Sequence, residues 1–119
     1  MNWLAGRLRS FVPALRGLRE LVVAEPNARV HAVASVLVVG AGLVLGLDAG
    51  DWLAVALATG LVWSAEALNT AIELLADEIS PQLSGKVRVL KDIAAFGVLA
   101  AATVAAAVGL IVFTPYLAG

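Results

Sequence analysis

Three long apolar stretches restrict what this chain can fold into. Two of them, residues 30–47 and 93–113, contain no Asp, Glu, Lys or Arg, and a third runs from residue 52 to residue 76. A helix of about 20 residues rises roughly 30 Å, which matches the hydrocarbon thickness of a bilayer. The sequence therefore predicts an all-α membrane protein in which these three stretches are transmembrane helices.

Composition supports the same class and a single domain. Of the 119 residues, 61% are hydrophobic and 14% are charged, whereas soluble domains have roughly 45–50% apolar and about 25% charged residues. We therefore expect one membrane domain over residues 1–119. The lack of cysteine excludes disulfides and thiolate chemistry. The net charge of -1 says little about partners, because the charges are segregated along the chain; we expect no nucleic-acid partner.

Residues 3–23 have the pattern of an amphipathic helix that lies on the membrane surface. Apolar side chains recur at alternating spacings of four and three residues and so form one stripe of a helix. Arginines lie beside and opposite this stripe, as in helices that bind the membrane interface. Pro13 interrupts the pattern, so we expect a kink or break there. The stripe consists of Leu4, Leu8, Phe11, Leu15, Leu18 and Val22.

Positive charge is distributed unevenly among the connecting segments. Residues 1–29 contain five arginines and residues 77–92 contain three basic residues, whereas the 48–51 turn and the C-terminal tail contain none. Basic segments tend to stay in the cytoplasm. We therefore expect the N-terminus and the 77–92 loop to be cytoplasmic and the C-terminus to be outside.

Four polar side chains share one face of the second apolar stretch. Glu66, Asn69, Glu73 and Asp77 fall within roughly an 80° arc of a helix. Each of them alone is more often structural, but several polar groups together at membrane depth are costly and mark a functional site. Two carboxylates and an amide on one face can hold a divalent cation and accept a proton. The topology places this site toward the cytoplasmic side.

The charges near this face favour phosphate chemistry. Mg²⁺ is commonly held by one or two carboxylates together with substrate phosphates, and Glu25 and Glu73 can supply such carboxylates. Lys91 can bind a phosphate group. Glu66 lies deeper, where loss of hydration favours uptake of a proton, as a general base requires. Its depth matches the headgroup hydroxyl of a lipid. By contrast, His31 alone is more often a packed or interfacial imidazole than a ligand.

These residues resemble the signature of the prokaryotic diacylglycerol kinase family. Residues 66–73 read EALNTAIE and are followed by Asp77 and later by Lys91-Asp92, as in the family pattern. Residues 25–31, EPNARVH, resemble the corresponding segment of the undecaprenol kinase branch, and residues 16–19 resemble the family's surface-helix motif. The resemblance covers nearly the whole chain.

The resemblance implies a bacterial inner-membrane enzyme that transfers the γ-phosphoryl group of ATP to a lipid hydroxyl, with Mg²⁺ as cofactor. It also implies a homotrimer with active sites shared between neighbouring protomers. Glu66 would be the general base, and Glu25 and Glu73 would bind the metal. The nucleotide-binding residues would be Arg7, Asp77, Ser84, Lys91 and Asp92. The lipid-binding residues would be Arg19, Arg29 and Asn69 together with Glu66.

The loop over residues 80–90 departs from the family pattern. It has Leu83-Ser84 where a Tyr-His pair is usual and Leu90 where an alanine is usual. Two alternatives to the kinase stay open on this basis. One is a non-enzymatic helix bundle that conducts ions or protons past Glu66 and Glu73. The other is a family member that binds lipid without phosphorylating it. For a kinase, residues 25–31 favour undecaprenol, with diacylglycerol as the near alternative.

Overall fold

The computed structural model describes residues 2–82 and 84–118, and within them the chain consists of helices joined by short connections. Leu83, one of the positions at which the loop departs from the family pattern, lies outside the described residues, as do Met1 and Gly119. The helices are α1 (Asn2–Arg9), α2 (Phe11–Ala24), α3 (Pro26–Leu45), α4 (Ala49–Ile79) and α5 (Gly85–Ala118).

Helices α3, α4 and α5 are long and apolar enough to cross a membrane. The prediction of an all-helical protein with three such helices and an N-terminal helical segment is therefore confirmed. The helices extend into the polar flanks of the apolar stretches: α4 covers 49–79 rather than 52–76, and α5 covers 85–118 rather than 93–113. The reason is capping. At the start of α4, the side chain of Asp48 accepts a hydrogen bond from the backbone N–H of Asp51 at 2.8 Å.

The N-terminal amphipathic segment is two helices rather than one. α1 ends at Arg9 and α2 begins at Phe11, so the break lies just before Pro13. A proline at position 13 has no N–H to bond the carbonyl of residue 9, and its ring crowds that carbonyl. The helix therefore stops there and restarts with the proline in its first turn. Leu4, Leu8, Phe11 and Leu15 of the apolar stripe remain exposed, which suits a membrane-surface helix.

An elbow at Glu25 joins α2 to α3. Its backbone is extended, with φ -111° and ψ 116°. The guanidinium of Arg29 bridges the elbow: Nε donates to the carbonyl of Val22 at 3.0 Å, and Nη2 donates to the carbonyl of Val23 at 2.7 Å. Carbonyls in the last turn of a helix have no partner within the helix. Arg29 therefore caps α2 and holds it at a fixed angle to α3.

Side-chain hydrogen bonds join the antiparallel helices α4 and α5 near both ends of the pair. Lys91 Nζ donates to Asp77 Oδ1 at 2.6 Å at one end, and the Tyr116 hydroxyl donates to Asp51 Oδ2 at 2.7 Å at the other. The contacts are 26 residues apart in α4 and 25 apart in α5. The two helices therefore run in register over roughly 39 Å. Because the hydrocarbon layer is about 30 Å thick, each contact falls near a headgroup region.

Helix α3 runs antiparallel to α4 because only a short turn, residues 46–48, separates them. Gly46 makes this turn possible by ending α3 in the left-handed conformation, with φ 71°. Near the other end of α3, His31 contacts Glu66. Counting in opposite directions along the two helices from that contact brings Glu25 to the axial level of residue 72, next to Glu73. The elbow and the acidic face of α4 therefore lie at the same end of the molecule.

Candidate active site

Glu66 is the deepest member of the acidic face of α4 and has a side chain that is only 1% exposed. It lies 11 residues from Asp77, or roughly 16 Å along the helix axis from the Asp77–Lys91 contact. Its position is therefore inside the apolar layer, on the side nearer that contact. The carboxylate oxygen Oε2 lies 3.4 Å from Nε2 of His31. Within residues 2–82 and 84–118, His31 is the only basic side chain within 4.0 Å of this carboxylate.

A second polar contact between α3 and α4 fixes the position of His31. Trp63 Nε1 donates to the hydroxyl of Ser35 at 3.0 Å, and that hydroxyl donates to the backbone carbonyl of His31 at 2.7 Å. His31 and Ser35 are one turn apart on α3, and Trp63 and Glu66 are one turn apart on α4. Two adjacent turns of each helix are thus joined by polar groups at one depth.

Several buried polar atoms on this face have no hydrogen-bond partner among the described residues. They are Oε2 of Glu66, Oδ1 of Asn69 and Oγ1 of Thr70. Most buried polar atoms in proteins are hydrogen-bonded, so each exception needs an explanation such as water, an ion or a ligand. Three such atoms within five residues of one helix indicate a region that is built to receive a polar group.

The predicted nucleotide-binding residues Asp77 and Lys91 are brought together, since Lys91 pairs with Asp77 at 2.6 Å. Asp92 instead pairs with Arg88, one turn earlier on α5, at 3.2 Å. That second pair is well exposed, with side chains 61% and 67% accessible, and such surface pairs contribute little stability. The end of the α4–α5 pair therefore carries two basic and two acidic groups near the predicted headgroup level.

The predicted metal ligands lie at one level without forming a preassembled site. Glu73 and Glu25 are both half-buried, and the register of α3 and α4 places them at similar depth. Among the described residues, no group of three or more His, Asp or Glu side chains is arranged to hold a metal ion. A set of two carboxylates is nevertheless sufficient for Mg²⁺, which keeps water ligands and shares phosphate oxygens with its substrate. The unpartnered amide oxygen of Asn69, one turn before Glu73, adds another hard oxygen donor.

Other predicted site residues already have structural partners. Ser84 Oγ accepts a hydrogen bond from the Val87 N–H at 3.2 Å, which is the geometry of a cap at the start of α5. Arg7 stacks on its neighbour in α1, with its guanidinium carbon 5.3 Å from the centre of the Trp3 ring. Arg29 is engaged at the elbow, as described above. Arg19 is exposed on α2.

Two concave surfaces flank α4. A cleft of about 670 Å³ lies between α2 and α4, and Glu25, Ser64 and Thr70 are on its walls. A groove of about 510 Å³ lies among α3, α4 and α5. This groove starts beside His31 and continues past apolar side chains to Phe113. It therefore leads from the level of Glu66 toward the opposite face of the membrane region.

The sequence interpretation missed the contact between His31 and Glu66. His31 by itself gave only the expectation of a packed or interfacial imidazole. A signal for this contact was present in the sequence. Because a short turn joins α3 and α4, residues that lie symmetrically about positions 48–49 occur at the same depth in the two helices. His31 and Ser35 on α3 match Trp63 and Glu66 on α4 in this way.

Comparison with known proteins gives consistent matches along the chain. The profile of the family described as prokaryotic diacylglycerol kinase matches residues 13–113. The undecaprenol kinase of Bacillus subtilis (strain 168) is 36% identical over 116 residues, which cover 98% of this chain and 94% of that protein. The family match includes the acidic face of α4, the elbow and the Asp77–Lys91 contact. Arg7 lies outside it.

Proposed function

The chain belongs to the prokaryotic diacylglycerol kinase family and is a membrane lipid kinase that uses ATP; from this premise we propose that its lipid acceptor is undecaprenol. The observation that carries the assignment of a lipid hydroxyl as acceptor is the Glu66 carboxylate, which is buried at membrane depth. A soluble substrate would not reach a carboxylate at that depth, whereas a hydroxyl at the end of a membrane-embedded chain would.

Glu66 acts as the general base for phosphoryl transfer. The oxygen of the lipid hydroxyl attacks the γ-phosphorus of ATP, and a new phosphorus–oxygen bond forms. The bond between the γ-phosphorus and the bridging oxygen breaks, and its electron pair leaves with ADP. The hydroxyl proton passes to the carboxylate of Glu66. Most of the rate acceleration in such reactions comes from positioning and from stabilisation of charge.

Glu25 and Glu73 hold Mg²⁺, with Asn69 as a supporting oxygen donor. Their half-buried carboxylates and shared axial level support this assignment, as does the preference of Mg²⁺ for one or two carboxylates plus phosphate oxygens. When it is bound, the ion would neutralise negative charge on the phosphates. Glu73 lies seven residues from Glu66, or roughly 10 Å along the axis, which leaves room for the transferred phosphoryl group between base and metal ligands.

The nucleotide binds at the end of the α4–α5 pair. Lys91, Asp77 and Asp92 contact it there, with Ser84 and Arg7 nearby. The closeness of Lys91 to Asp77 supports this assignment, because nucleotide phosphates compete well for a lysine whose present partner is a single exposed carboxylate. The lipid headgroup contacts Asn69 and Glu66. Arg19 and Arg29 bind the lipid on the side of the site formed by α2.

The shape and polarity of the α3–α4–α5 groove favour undecaprenol over diacylglycerol. The groove is predominantly apolar, has a volume of about 510 Å³ and is directed from the level of Glu66 along the membrane normal. One long polyprenyl chain fits such a channel more readily than two acyl chains that branch from one glycerol. The 36% identity to the undecaprenol kinase of Bacillus subtilis supports the same acceptor.

The proposed arrangement places the N-terminus, the elbow and the 77–92 loop on the cytoplasmic side of the bacterial inner membrane, where ATP is available. The distribution of basic residues supports this orientation. The functional unit is a homotrimer with active sites shared between neighbouring protomers.

A direct assay tests the acceptor. Purified protein in detergent micelles receives ATP and magnesium together with either undecaprenol or diacylglycerol, and the phosphorylated lipid is measured. We expect faster turnover of undecaprenol. Clearly faster turnover of diacylglycerol would replace the acceptor without changing the enzyme class. No phosphorylation of either lipid, or of any other lipid alcohol, would contradict the proposed function.

A further inference from the structure

The contact between His31 and Glu66 has no assigned role in the proposed proton transfer or metal binding. Glu66 Oε2 faces the imidazole at 3.4 Å, and no other basic group of the described chain lies within 4.0 Å of the carboxylate. A buried carboxylate is costly unless a partner compensates it. His31 is therefore the neighbour on which the orientation of the Glu66 carboxylate depends.

From this contact we infer that His31 is a positioning residue for the general base. The inference rests on the proposed role of Glu66. The imidazole Nε2–H donates to Oε2 during turnover, which fixes the plane of the carboxylate and leaves Oε1 for the lipid hydroxyl. The present distance is longer than a hydrogen bond, and the N–H is not aligned for one. Such bonds are often long in substrate-free sites and tighten when the substrate is bound.

The surroundings of His31 make this role physically specific. The Ser35 hydroxyl links the His31 carbonyl to Trp63 on α4, so the backbone that carries the imidazole is tied to the helix that carries the base. The His31 side chain is 21% exposed and forms part of the wall of the α3–α4–α5 groove. A lipid that occupies this groove thus passes the imidazole on its way to Glu66.

Substitutions of different chemistry at position 31 separate positioning from packing. His31→Leu removes the donor and fills a similar volume, whereas His31→Gln places an amide nitrogen near the position of Nε2. We expect His31→Leu to lower kcat by about tenfold to a hundredfold, since small misplacements of a reacting group have effects of that size. The KM for ATP should stay within about twofold of the wild-type value, because the nucleotide binds away from His31. His31→Gln should recover most of the lost kcat.

Val112→Ala is the matched control for helix packing. Val112 is 4% exposed and belongs to the small core with Leu47 and Val55, but it does not line the α3–α4–α5 groove. Its truncation should lower the thermal stability in detergent but leave kcat near wild type. His31→Leu should instead lower kcat and leave the thermal stability near the wild-type value. A wild-type kcat in His31→Leu, or equal loss in His31→Leu and His31→Gln, would overturn the inference.

A measurement that needs no turnover separates this inference from the proposed function. A hydrophobic carbodiimide labels buried carboxyl groups in their protonated form, and peptide mass spectrometry then gives the rate at Glu66, with Glu78 as an exposed reference in the same digest. The imidazole is the nearest basic neighbour of Oε2, at 3.4 Å. Without it the carboxyl is no longer held in one orientation, so His31→Leu should be labelled severalfold faster than wild type. An unchanged rate would overturn the inference even if the kinase assay succeeds. A kinase assay that fails with every lipid alcohol, alongside His31-dependent labelling, would contradict the proposed function and with it the positioning role.

Discussion

The environment of Glu66 differs from that of an acid retained for stability. A stabilising carboxylate is normally hydrogen-bonded at each oxygen or exposed to water, whereas Oε2 of Glu66 is buried and accepts no hydrogen bond from residues 2–82 or 84–118. Its neighbour His31 approaches from α3 but is not aligned to donate in this state. A folded chain that keeps such a group loses stability by doing so, and a buried polar atom without a partner is a candidate for binding water, an ion or a ligand.

Glu66→Gln tests this interpretation through both rate and stability. The amide cannot accept the proton, so we expect kcat to fall by about 10²–10⁴-fold, the usual contribution of general-base catalysis. The thermal unfolding temperature in detergent should be unchanged or higher, because an amide is less costly to bury than a carboxylate. Glu78→Gln is the control, since Glu78 is an exposed acid of the same helix. A Glu66→Gln protein with wild-type rate would remove Glu66 from the base position.

Glu73→Gln tests the metal assignment separately from the base. Loss of one of two carboxylate ligands should raise the Mg²⁺ concentration for half-maximal activity by about tenfold or more, because Mg²⁺ binds few protein ligands and each counts heavily. Activity should be partly restored at high Mg²⁺, which is not expected for Glu66→Gln. The measurement is a magnesium titration of phosphorylated lipid at fixed ATP. The same half-maximal concentration in Glu73→Gln and wild type would exclude Glu73 as a ligand.

At the level of helices, the sequence predicted what depends on local pattern and missed what depends on neighbours. The three membrane helices follow from apolar length, and the acidic face of α4 follows from the helical period. Helices α4 and α5 begin before their apolar stretches because Asp48 and Ser84 cap their N-terminal ends. The hydrogen bonds that Arg29 donates across the elbow could not be found from its own surroundings in the sequence, because the accepting carbonyls lie on another helix, α2.

The elbow between α2 and α3 predicts a specific effect of Arg29→Gln. Two hydrogen bonds to the last carbonyls of α2 are lost, at about 0.5–1.5 kcal/mol each. We expect faster amide hydrogen exchange in α2 and a lower apparent affinity for Mg²⁺, since Glu25 forms the elbow itself. Arg16→Gln, at an exposed arginine of α2, should change neither the hydrogen exchange of α2 nor the affinity for Mg²⁺. Unaltered exchange in α2 would show that the elbow is held by other contacts, and Arg29 would then be free for the lipid role.

The whole molecule has little interior of its own. Apart from small clusters, the large apolar side chains of the membrane helices are exposed in the single chain, including Val44 at 86%, Leu57 at 67% and Ile111 at 74%. Lipid can cover such surfaces, because an apolar side chain needs no protein partner in a bilayer. The polar groups are different, because among the described residues Asn69 and Thr70 have buried unpartnered atoms on α4 that lipid cannot satisfy. These atoms belong to the proposed substrate and metal site, and the exposed apolar surfaces are the area available to the neighbouring protomers of the proposed homotrimer.

Mixed assemblies can show whether the active sites of that trimer are shared. In a single chain, Glu66 contacts His31 of α3, whereas Lys91 pairs with Asp77 near the C-terminal end of α4. The base and the nucleotide-binding lysine therefore lie well apart along the axis of α4. We expect a site to combine Glu66 of one protomer with Lys91 of its neighbour. Glu66→Gln and Lys91→Met proteins should each be nearly inactive alone. Unfolded together in equal amounts and refolded into detergent, they should regain about a quarter of wild-type activity, because one neighbouring pair in four carries both intact residues on the correct sides. If each protomer supplies its own complete site, no mixed trimer contains an intact site, and activity should stay at the level of the separate variants.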